Sequence, residues 1–323
     1  MDYFSGIVGQ ERAIGMLKEA ISNKRINHAY LFVGAEGIGK MLTAEAFART
    51  IIHQADENAV LYFNQGLHPD LLIINRLEKR TVITKEQISQ EMEPWLGLKP
   101  YRASNRIVII QNGDLMSLEA ANALLKILEE PPEYGVIIMV ADEKNLLETI
   151  ISRCQLVRFF AVNDEEIEKF LIDKGFDQKV SYRCARLGQG SIANALLFAG
   201  EEEFQELWNT AAVIIQDLYK GQIIEVFNTA EKLDRNPLLI INMIDTILRD
   251  VYIYKETKNK ELIFMVENMD LINLINGVNS QLIMKCLEQI HELKGNYKRN
   301  VNSLLISTNI SFKLWETLQK EKC

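Results

Sequence analysis

The stretch Gly34-Ala-Glu-Gly37-Ile-Gly39-Lys40 decides the fold, because its glycines and lysine have the spacing of a phosphate loop. It follows an apolar run, Ala29–Val33, and precedes a helical pattern, Lys40–His53, which is the context that the motif requires. In such a loop the backbone N–H groups and the helix N-terminus favour a phosphate, and the lysine reaches its outer oxygens. A chance glycine turn is the minor alternative. The candidate cofactor-binding residues are Gly34, Gly37, Gly39 and Lys40.

The groups that would hold magnesium and orient a water for ATP hydrolysis are replaced. Met41 occupies the Ser or Thr position, and its thioether is a poor ligand for a hard cation. Thr43 lies on another face of the predicted helix. The second strand, Ile107–Ile110, is followed by Gln111-Asn112, where an ATPase has acidic residues. We therefore predict a nucleotide fold without hydrolysis, and we interpret the nearby Asp114 as a turn or helix-start residue.

Apolar runs alternate with amphipathic stretches through the first half of the chain, which is typical of a parallel α/β sheet. The runs that predict strands are Ala29–Val33, Leu71–Asn75, Ile107–Ile110, Val136–Val140 and Gln155–Phe160. The stretches that predict helices are Gln10–Ser22, Lys40–His53, Lys85–Leu96 and Leu118–Glu130, the last with Ser117 as a candidate N-cap and Pro131-Pro132 as its break.

The second half of the chain contains one proline, Pro237, and long Leu- and Ile-rich segments at helical spacing. Its last segment, Val301–Leu318, is one of these predicted helices. We accordingly divide the chain into an α/β domain over 1–162, a segment of short helices over 163–204 and an all-helical domain over 205–323.

Composition narrows the class of protein without naming a function. The chain has 323 residues, 48% of them hydrophobic and 25% charged, and a net charge of −8, which disfavours a solitary DNA-binding domain. The cysteines lack the clustered spacing of a zinc site or a disulfide scaffold: Cys154, Cys184, Cys286 and Cys323. The N-terminus lacks signal-peptide features and no apolar run is long enough for a membrane span, so we expect a cytoplasmic protein without membrane partners.

Five motifs resemble the clamp-loader subunits of bacterial DNA polymerase III, which belong to the AAA+ superfamily. The resemblance is dense over the first half and loose over the helical remainder. His68-Pro-Asp-Leu71, with the missing ATPase groups, favours the delta-prime type over the ATP-hydrolysing gamma/tau type. The five motifs are Phe4–Gln10, His28–Gly34, His68–Leu71, Ala120–Pro132 and Thr149–Cys154.

This resemblance implies an α/β P-loop (AAA+) parallel-sheet domain followed by a three-helix lid and an all-α C-terminal collar domain. It implies gamma/tau and delta subunits as partners in a pentameric ring, with the sliding clamp and primed DNA reached through the complex. The chain would then be no enzyme on its own, but a subunit of a DNA-directed DNA polymerase holoenzyme in DNA replication.

Ser152-Arg153-Cys154 is the most informative functional motif of the resemblance. It implies that Arg153 is catalytic in trans, projecting into the nucleotide site of a neighbouring subunit. A guanidinium suits that task because it is always charged and bonds a phosphate through two N–H groups, which stabilises charge on the γ-phosphate. An ordinary surface arginine is the alternative.

Two departures from the family pattern concern cofactors. Ala193 and Asn194 stand where the lid motif of active subunits implies an arginine over their own nucleotide. Many delta-prime sequences carry a four-cysteine zinc module between the phosphate loop and the second strand, but residues 41–153 contain no cysteine, and His53 and His68 alone cannot rebuild it. We expect no zinc or other metal and no cofactor, although binding of ATP or ADP to Gly34–Lys40 stays open.

Two other classes of function were weighed. A gamma/tau-like or other active P-loop ATPase would need a magnesium ligand in place of Met41 and a water-orienting group in place of Asn112. A nuclease or polymerase would need clustered carboxylates that hold two metals. The densest acidic run, Glu201–Glu203, is instead typical of a solvated loop or helix start.

Overall fold

Five parallel strands form one sheet in the computed structural model of the chain, which describes residues 2–66, 68–77, 80–142, 146–200, 204–264, 269–298 and 301–319. Their spatial order is β2-β3-β4-β1-β5. This arrangement confirms the parallel α/β sheet that the alternation of apolar and amphipathic segments predicts. The strands are β1 Ala29–Val33, β2 Leu71–Ile74, β3 Arg106–Ile110, β4 Gly135–Ala141 and β5 Gln155–Arg158.

The three central strands are buried along their whole length, because helices cover both faces of the sheet. Tyr30 and Phe32 point into one apolar layer, and Leu31 and Val33 point into the other. This alternation explains why these strands read as continuous apolar runs. The helices of this part of the chain are α1 Glu11–Ser22, α2 Lys40–His53, α3 Ala59–Phe63, α4 Glu93–Leu96, α5 Leu118–Glu129 and α6 Glu148–Ile151.

The predicted helix over 118–130 begins where the sequence indicates. Ser117 is its N-cap, and its hydroxyl accepts a hydrogen bond of 3.1 Å from the backbone N–H of Ala120. The predicted helix over 85–96 has a different interior, because Gln87–Met92 forms a π-helical segment that continues into α4. The short helix α3 has no counterpart in the sequence prediction.

Three further helices follow β5: α7 Asp164–Asp173, α8 Gln178–Leu187 and α9 Ile192–Ala199. Met1–Leu196 form one compact unit. Gln10 ties the phosphate loop to the chain after β5 within this unit, because its side-chain amide donates to the carbonyls of Ile38 and Phe160 at 3.2 and 2.8 Å.

Leu197–Cys323 form a second compact unit, whose core is made by helices. Its helices are α10 Phe204–Lys220, α11 Glu225–Asp234, α12 Pro237–Thr257, α13 Met269–Leu274, α14 Ser280–Lys294 and α15 Ser303–Gln319. None of the helices in the described parts of the chain combines the length and apolar character needed to cross a membrane. The boundaries at 162 and 204 stay predictions, and Glu201–Glu203 and Cys323 lie outside the described residues.

Candidate functional site

The phosphate loop connects β1 to the first residue of α2, and two of its glycines have left-handed backbone conformations. Gly37 has φ +75° and Gly39, the N-cap residue of α2, has φ +99°. Other residues rarely adopt such angles. The glycine spacing in the sequence therefore corresponds to a real conformational requirement, and it brings Lys40 to the start of the helix.

The Lys40 ammonium is buried and fully engaged by groups of its own chain. Its Nζ donates to the carbonyl oxygens of Gly34 and Ala35 at 2.7 and 2.5 Å, and to Oδ1 of Asp142 at 3.0 Å. The side chain of Lys40 is only 4% exposed. An ammonium group has three protons to donate, so these three acceptors use its whole capacity.

Asp142 is a site residue that our sequence prediction missed. It follows the last residue of β4, and β4 lies beside β1, whose last residue Val33 pairs with Ala141. The carboxylate of Asp142 therefore lies next to the start of the phosphate loop. The carboxylate of Asp114 accepts a hydrogen bond of 3.3 Å from the backbone N–H of Asp142, which holds this segment in place. Asp142 can be recognised only once β1 and β4 are known to be neighbouring strands, which the sequence pattern does not predict.

The residues at the magnesium position do not fit a magnesium–nucleotide complex. Met41 packs against the apolar core on one side of the sheet. The hydroxyl of Thr43 donates to the carbonyl of Gly39 at 2.9 Å, within the first turn of its own helix. Gln111 and Asn112 follow β3 and bring amides, which can neither neutralise a cation nor accept a proton from water. These replacements and the pairing of Lys40 agree with the predicted absence of ATP hydrolysis, which stays a prediction.

A cavity of about 290 Å³ lies beside the phosphate loop, and its lining is mostly apolar. Its walls come from the N-terminal segment, the loop, the ends of β3 and β4, and helices α7 and α9. The charged side chains among its described lining residues are Lys40, Glu36 and Asp142, so carboxylates outnumber ammonium groups. This excess of negative charge disfavours binding of a polyanionic ligand.

The lid motif contacts the tip of the phosphate loop directly. The backbone N–H of Ala193, in the first turn of α9, donates to the carbonyl of Gly37 at 3.1 Å. A Cβ at Gly37 would come within 2.2 Å of the Ser191 hydroxyl oxygen, which shows how closely the two segments pack. Asn194 makes its backbone contact with Ser191, where N–H donates to Oγ at 3.2 Å. Neither Ala193 nor Asn194 brings a positive charge to the cavity.

The predicted finger motif lies at the other end of the sheet. Arg153 stands between α6 and the first residue of β5, whereas the phosphate loop follows the last residue of β1, and these strands are parallel neighbours. Nη2 of Arg153 donates to Glu129 at 2.8 Å and Nη1 donates to the Thr149 carbonyl at 2.9 Å. The Ser152 hydroxyl donates to the same carbonyl at 3.1 Å. Arg153 and the phosphate loop of this chain are therefore not parts of one site.

Cys154 is a partly buried residue that packs against the core of the sheet. Burial raises the pKa of its thiol to about 12, because the thiolate form would lose its hydration. It packs with apolar side chains on one face of the sheet. Its place in the motif is consistent with packing beside Arg153.

His68-Pro-Asp-Leu71 forms a buried polar network. The Asp70 N–H donates to Nδ1 of His68 at 3.1 Å, while Nε2 of His68 lies 3.4 Å from the Asp56 carboxylate. Arg102 donates to both oxygens of Asp56, at 2.6 and 3.0 Å. The Asp70 carboxylate accepts backbone N–H groups at 2.7, 2.7 and 2.9 Å, from Tyr101, Arg102 and Ala103.

The pKa shifts of Asp56 and His68 are those expected of residues that stabilise the fold. Arg102 holds the pKa of Asp56 at about 2, well below its ordinary value. Burial lowers the pKa of His68, which favours the neutral ring. Within the described residues, no group of three or more His, Cys, Asp or Glu side chains could hold a metal ion. The lack of zinc in the whole chain stays a prediction.

Comparison with known proteins gives consistent results. Residues 9–163 match the family described as "DNA polymerase III, delta subunit". The delta-prime subunit of DNA polymerase III from Bacillus subtilis is 33% identical over 210 residues, which cover 61% of this chain and 61% of that subunit. The tau/gamma subunit from Haemophilus influenzae is 31% identical over 209 residues, which cover 60% of this chain and 30% of that subunit.

One solved structure with a similar chain length is a DNA polymerase III gamma subunit-related protein from Thermotoga maritima. It is 19% identical, the match covers 95% of this chain and 99% of that one, and the TM-score is 0.48. The chain spans less than two thirds of the length of the two curated relatives described above. The phosphate loop, the parallel sheet and the helices after it agree with the predicted α/β P-loop parallel-sheet fold class. The family match over residues 9–163 and the named relatives show that this part of the chain is similar to clamp-loader subunits of DNA polymerase III.

Proposed function

We propose that this chain is a non-hydrolysing, delta-prime-like subunit of a DNA polymerase III clamp loader. It would assemble in the cytoplasm with gamma/tau and delta subunits in a pentameric ring and help to load the sliding clamp on primed DNA. Contact with clamp and DNA would come through the complex, which suits a chain of net charge −8. By itself the chain would not turn over ATP.

The observation that carries the proposal is the separation of Arg153 from the chain's own phosphate loop. Tyr30 pairs with Gln155 and Val33 pairs with Arg158, so Arg153 precedes the paired segment and the phosphate loop follows it. The paired segment alone is about 10 Å long at 3.3 Å per residue. An arginine at the amino end of β5 is therefore suited to a site on another subunit.

In that role Arg153 would donate two N–H groups to the γ-phosphate of ATP held by the neighbouring subunit. The fixed positive charge stabilises the negative charge that develops on the transferred group. Supplying this charge in trans makes hydrolysis depend on assembly. The replacements at Met41 and Asn112 support a division of labour in which the neighbour hydrolyses ATP and this chain activates it.

The experiment compares the purified chain and a reconstituted complex with the loader subunits of the same organism. We expect no ATP turnover by the chain alone and normal assembly of the Arg153→Ala complex. Turnover at the adjacent site should fall by about 10³-fold, the usual contribution of an arginine finger. Arg158→Ala, which removes an exposed arginine from β5, is the matched control.

Two results would contradict the proposal. Full activity of the assembled Arg153→Ala complex would exclude the finger role. Turnover by the isolated wild-type chain would favour the alternative, an ATP-hydrolysing gamma/tau-like subunit or another active P-loop ATPase.

A further inference from the structure

We propose that Asp142 excludes phosphate from the phosphate loop by serving as a built-in anion for Lys40. This inference deepens the proposed function and rests on it, because it explains how a non-hydrolysing subunit keeps its nucleotide site closed. The carboxylate lies 3.0 Å from the Lys40 ammonium. In a loop that binds nucleotide, that ammonium is the partner of the outer phosphates.

The chain needs such an anion because the ammonium is buried. Lys40 has 4% of its side chain exposed and Asp142 has 22%. A buried charge without a partner is strongly unfavourable, so a phosphate loop without phosphate must pair its lysine in another way. The backbone carbonyls of Gly34 and Ala35 supply partial charges, and Asp142 supplies the formal negative charge.

The position of Asp142 follows from the sheet and does not depend on a flexible contact. Val33 and Ala141 are the paired last residues of β1 and β4, so Gly34 and Asp142 continue from neighbouring positions. Asp114 accepts the backbone N–H of Asp142. The carboxylate is consequently fixed where the chain turns into the phosphate loop.

A phosphate would have to enter against both charge and packing. It would need to take a donor from a completed set of three and would add its charge to a cavity that already contains Asp142 and Glu36. The loop tip is also closed by the lid contact from Ala193 to Gly37. The Asp142 carboxylate is the obstacle that contacts Lys40, and the isosteric substitution Asp142→Asn removes its charge.

The test uses the full-length isolated chain and three probes without magnesium: inorganic phosphate, pyrophosphate and ADP. Wild type should show no saturable binding by calorimetry and no probe-dependent rise in Tm. Asp142→Asn keeps the shape and removes the charge, and we expect it to bind pyrophosphate and ADP at least tenfold more tightly than wild type. Because a ligand that binds only the folded state stabilises it, Tm of this variant should rise with pyrophosphate concentration.

Two controls identify the cause. Asp173→Asn removes an exposed carboxylate from α7 and should behave like wild type. Lys40→Met with Asp142→Asn should lose the gained binding, because the anion then has no ammonium partner. If Asp142→Asn does not fold, Asp142→Ser replaces it as the variant without the negative charge. The double substitution of Lys40→Met with Asp142→Leu then tests whether the fold tolerates an apolar pair in place of the ion pair.

Three outcomes would overturn the inference: a folded Asp142→Asn or Asp142→Ser that binds none of the probes, binding that persists without Lys40, or submicromolar ADP binding by wild type. None of them depends on assembly or on Arg153. A failure here is therefore distinguishable from a failure of the proposed finger role, which is measured as turnover by the complex.

Discussion

Arg153 and Glu129 form an ion pair of 2.8 Å at the amino end of the sheet, between the end of α5 and the turn before β5. Glu129 lies in the motif Ala120–Pro132, and Arg153 lies in Thr149–Cys154, so two separate motifs of the family resemblance meet in one contact. Both side chains are partly exposed, at 36% for Arg153 and 53% for Glu129. The contact therefore holds the guanidinium against its own chain without burying it.

Release of Arg153 from Glu129 is predicted to raise turnover of the assembled complex slightly. An exposed ion pair contributes only about 0–1 kcal/mol, so Glu129→Gln should increase turnover by at most about fivefold at low ionic strength. The gain should disappear at high salt, where the pair is already screened. The measurement is steady-state ATP turnover of the complex over a salt series.

Glu130→Gln is the neighbouring control, because it removes the same charge from the residue after α5. It should leave turnover and its salt dependence unchanged. A loss of turnover in the Glu129→Gln complex as large as that of Arg153→Ala would show that Glu129 works with the finger and does not restrain it.

Restoring a magnesium ligand alone is predicted to give no ATPase. Met41→Thr introduces the hydroxyl that the phosphate loop lacks, but Lys40 remains paired with Asp142 and Asn112 still provides no base. We expect turnover by this variant to equal the buffer background. Detectable magnesium-dependent phosphate release would mean that position 41 alone limits hydrolysis.

The sequence predicts the strands well and the site incompletely. Strands such as Ala29–Val33 are buried on both faces, so their apolar runs are continuous and their ends nearly match the structure. The N-cap role of Ser117 is equally predictable, because its hydrogen bond joins residues that are three apart in the sequence. Asp142 and Glu129 were missed for the opposite reason: their partners lie 102 and 24 residues away, and only strand order and helix packing bring them together.

The apolar periodicity of the sequence also does not predict local irregularities within a helix. The segment Gln87–Met92 has the apolar spacing of a helix, and the side chain of Gln87 donates to the carbonyl of Asn75 at 2.8 Å while accepting from the N–H of Thr84 at 3.2 Å. These are tertiary and turn contacts that periodicity does not encode. The sequence therefore predicts a helix there, but not its π-helical form.

Gly37→Ala is predicted to destabilise the first compact unit. The residue has φ +75°, and its Cβ would lie 2.2 Å from the Ser191 hydroxyl oxygen, so strain and a clash combine at the contact with the residues that begin α9. We expect the free energy of unfolding to fall by about 1–3 kcal/mol, measured by urea denaturation. Gly15→Ala is the matched control: it lies in the exposed interior of α1 with open space around it and should stabilise the protein by about 1 kcal/mol. Equal effects of the two substitutions would contradict the assigned loop geometry.

Arg102→Met is predicted to weaken the network around His68 in a pH-dependent way. The substitution keeps most of the side-chain bulk and leaves the Asp56 carboxylate, which is 3% exposed, without its strongest partner. Hydrogen bonds to charged groups contribute about 1.5–3 kcal/mol, so we expect a loss of about 2 kcal/mol at pH 7. Arg158→Met, on the exposed side of β5, should cost little under the same conditions.

The sign of the pH dependence follows from Asp56. Its pKa is about 2 in the folded protein and 3.8 ordinarily, so the unfolded chain binds more protons between these values and stability falls as pH is lowered through them. Arg102→Met removes the main cause of this shift. The stability difference between wild type and variant should therefore shrink from about pH 4 downward. The comparison is made from about pH 5 downward, because the charge of Arg102 also contributes to the lowered pKa of His68 and its loss adds a separate pH dependence above that range. A gap that stays constant down to pH 3 would show that Arg102 stabilises the fold by packing, independently of the Asp56 charge.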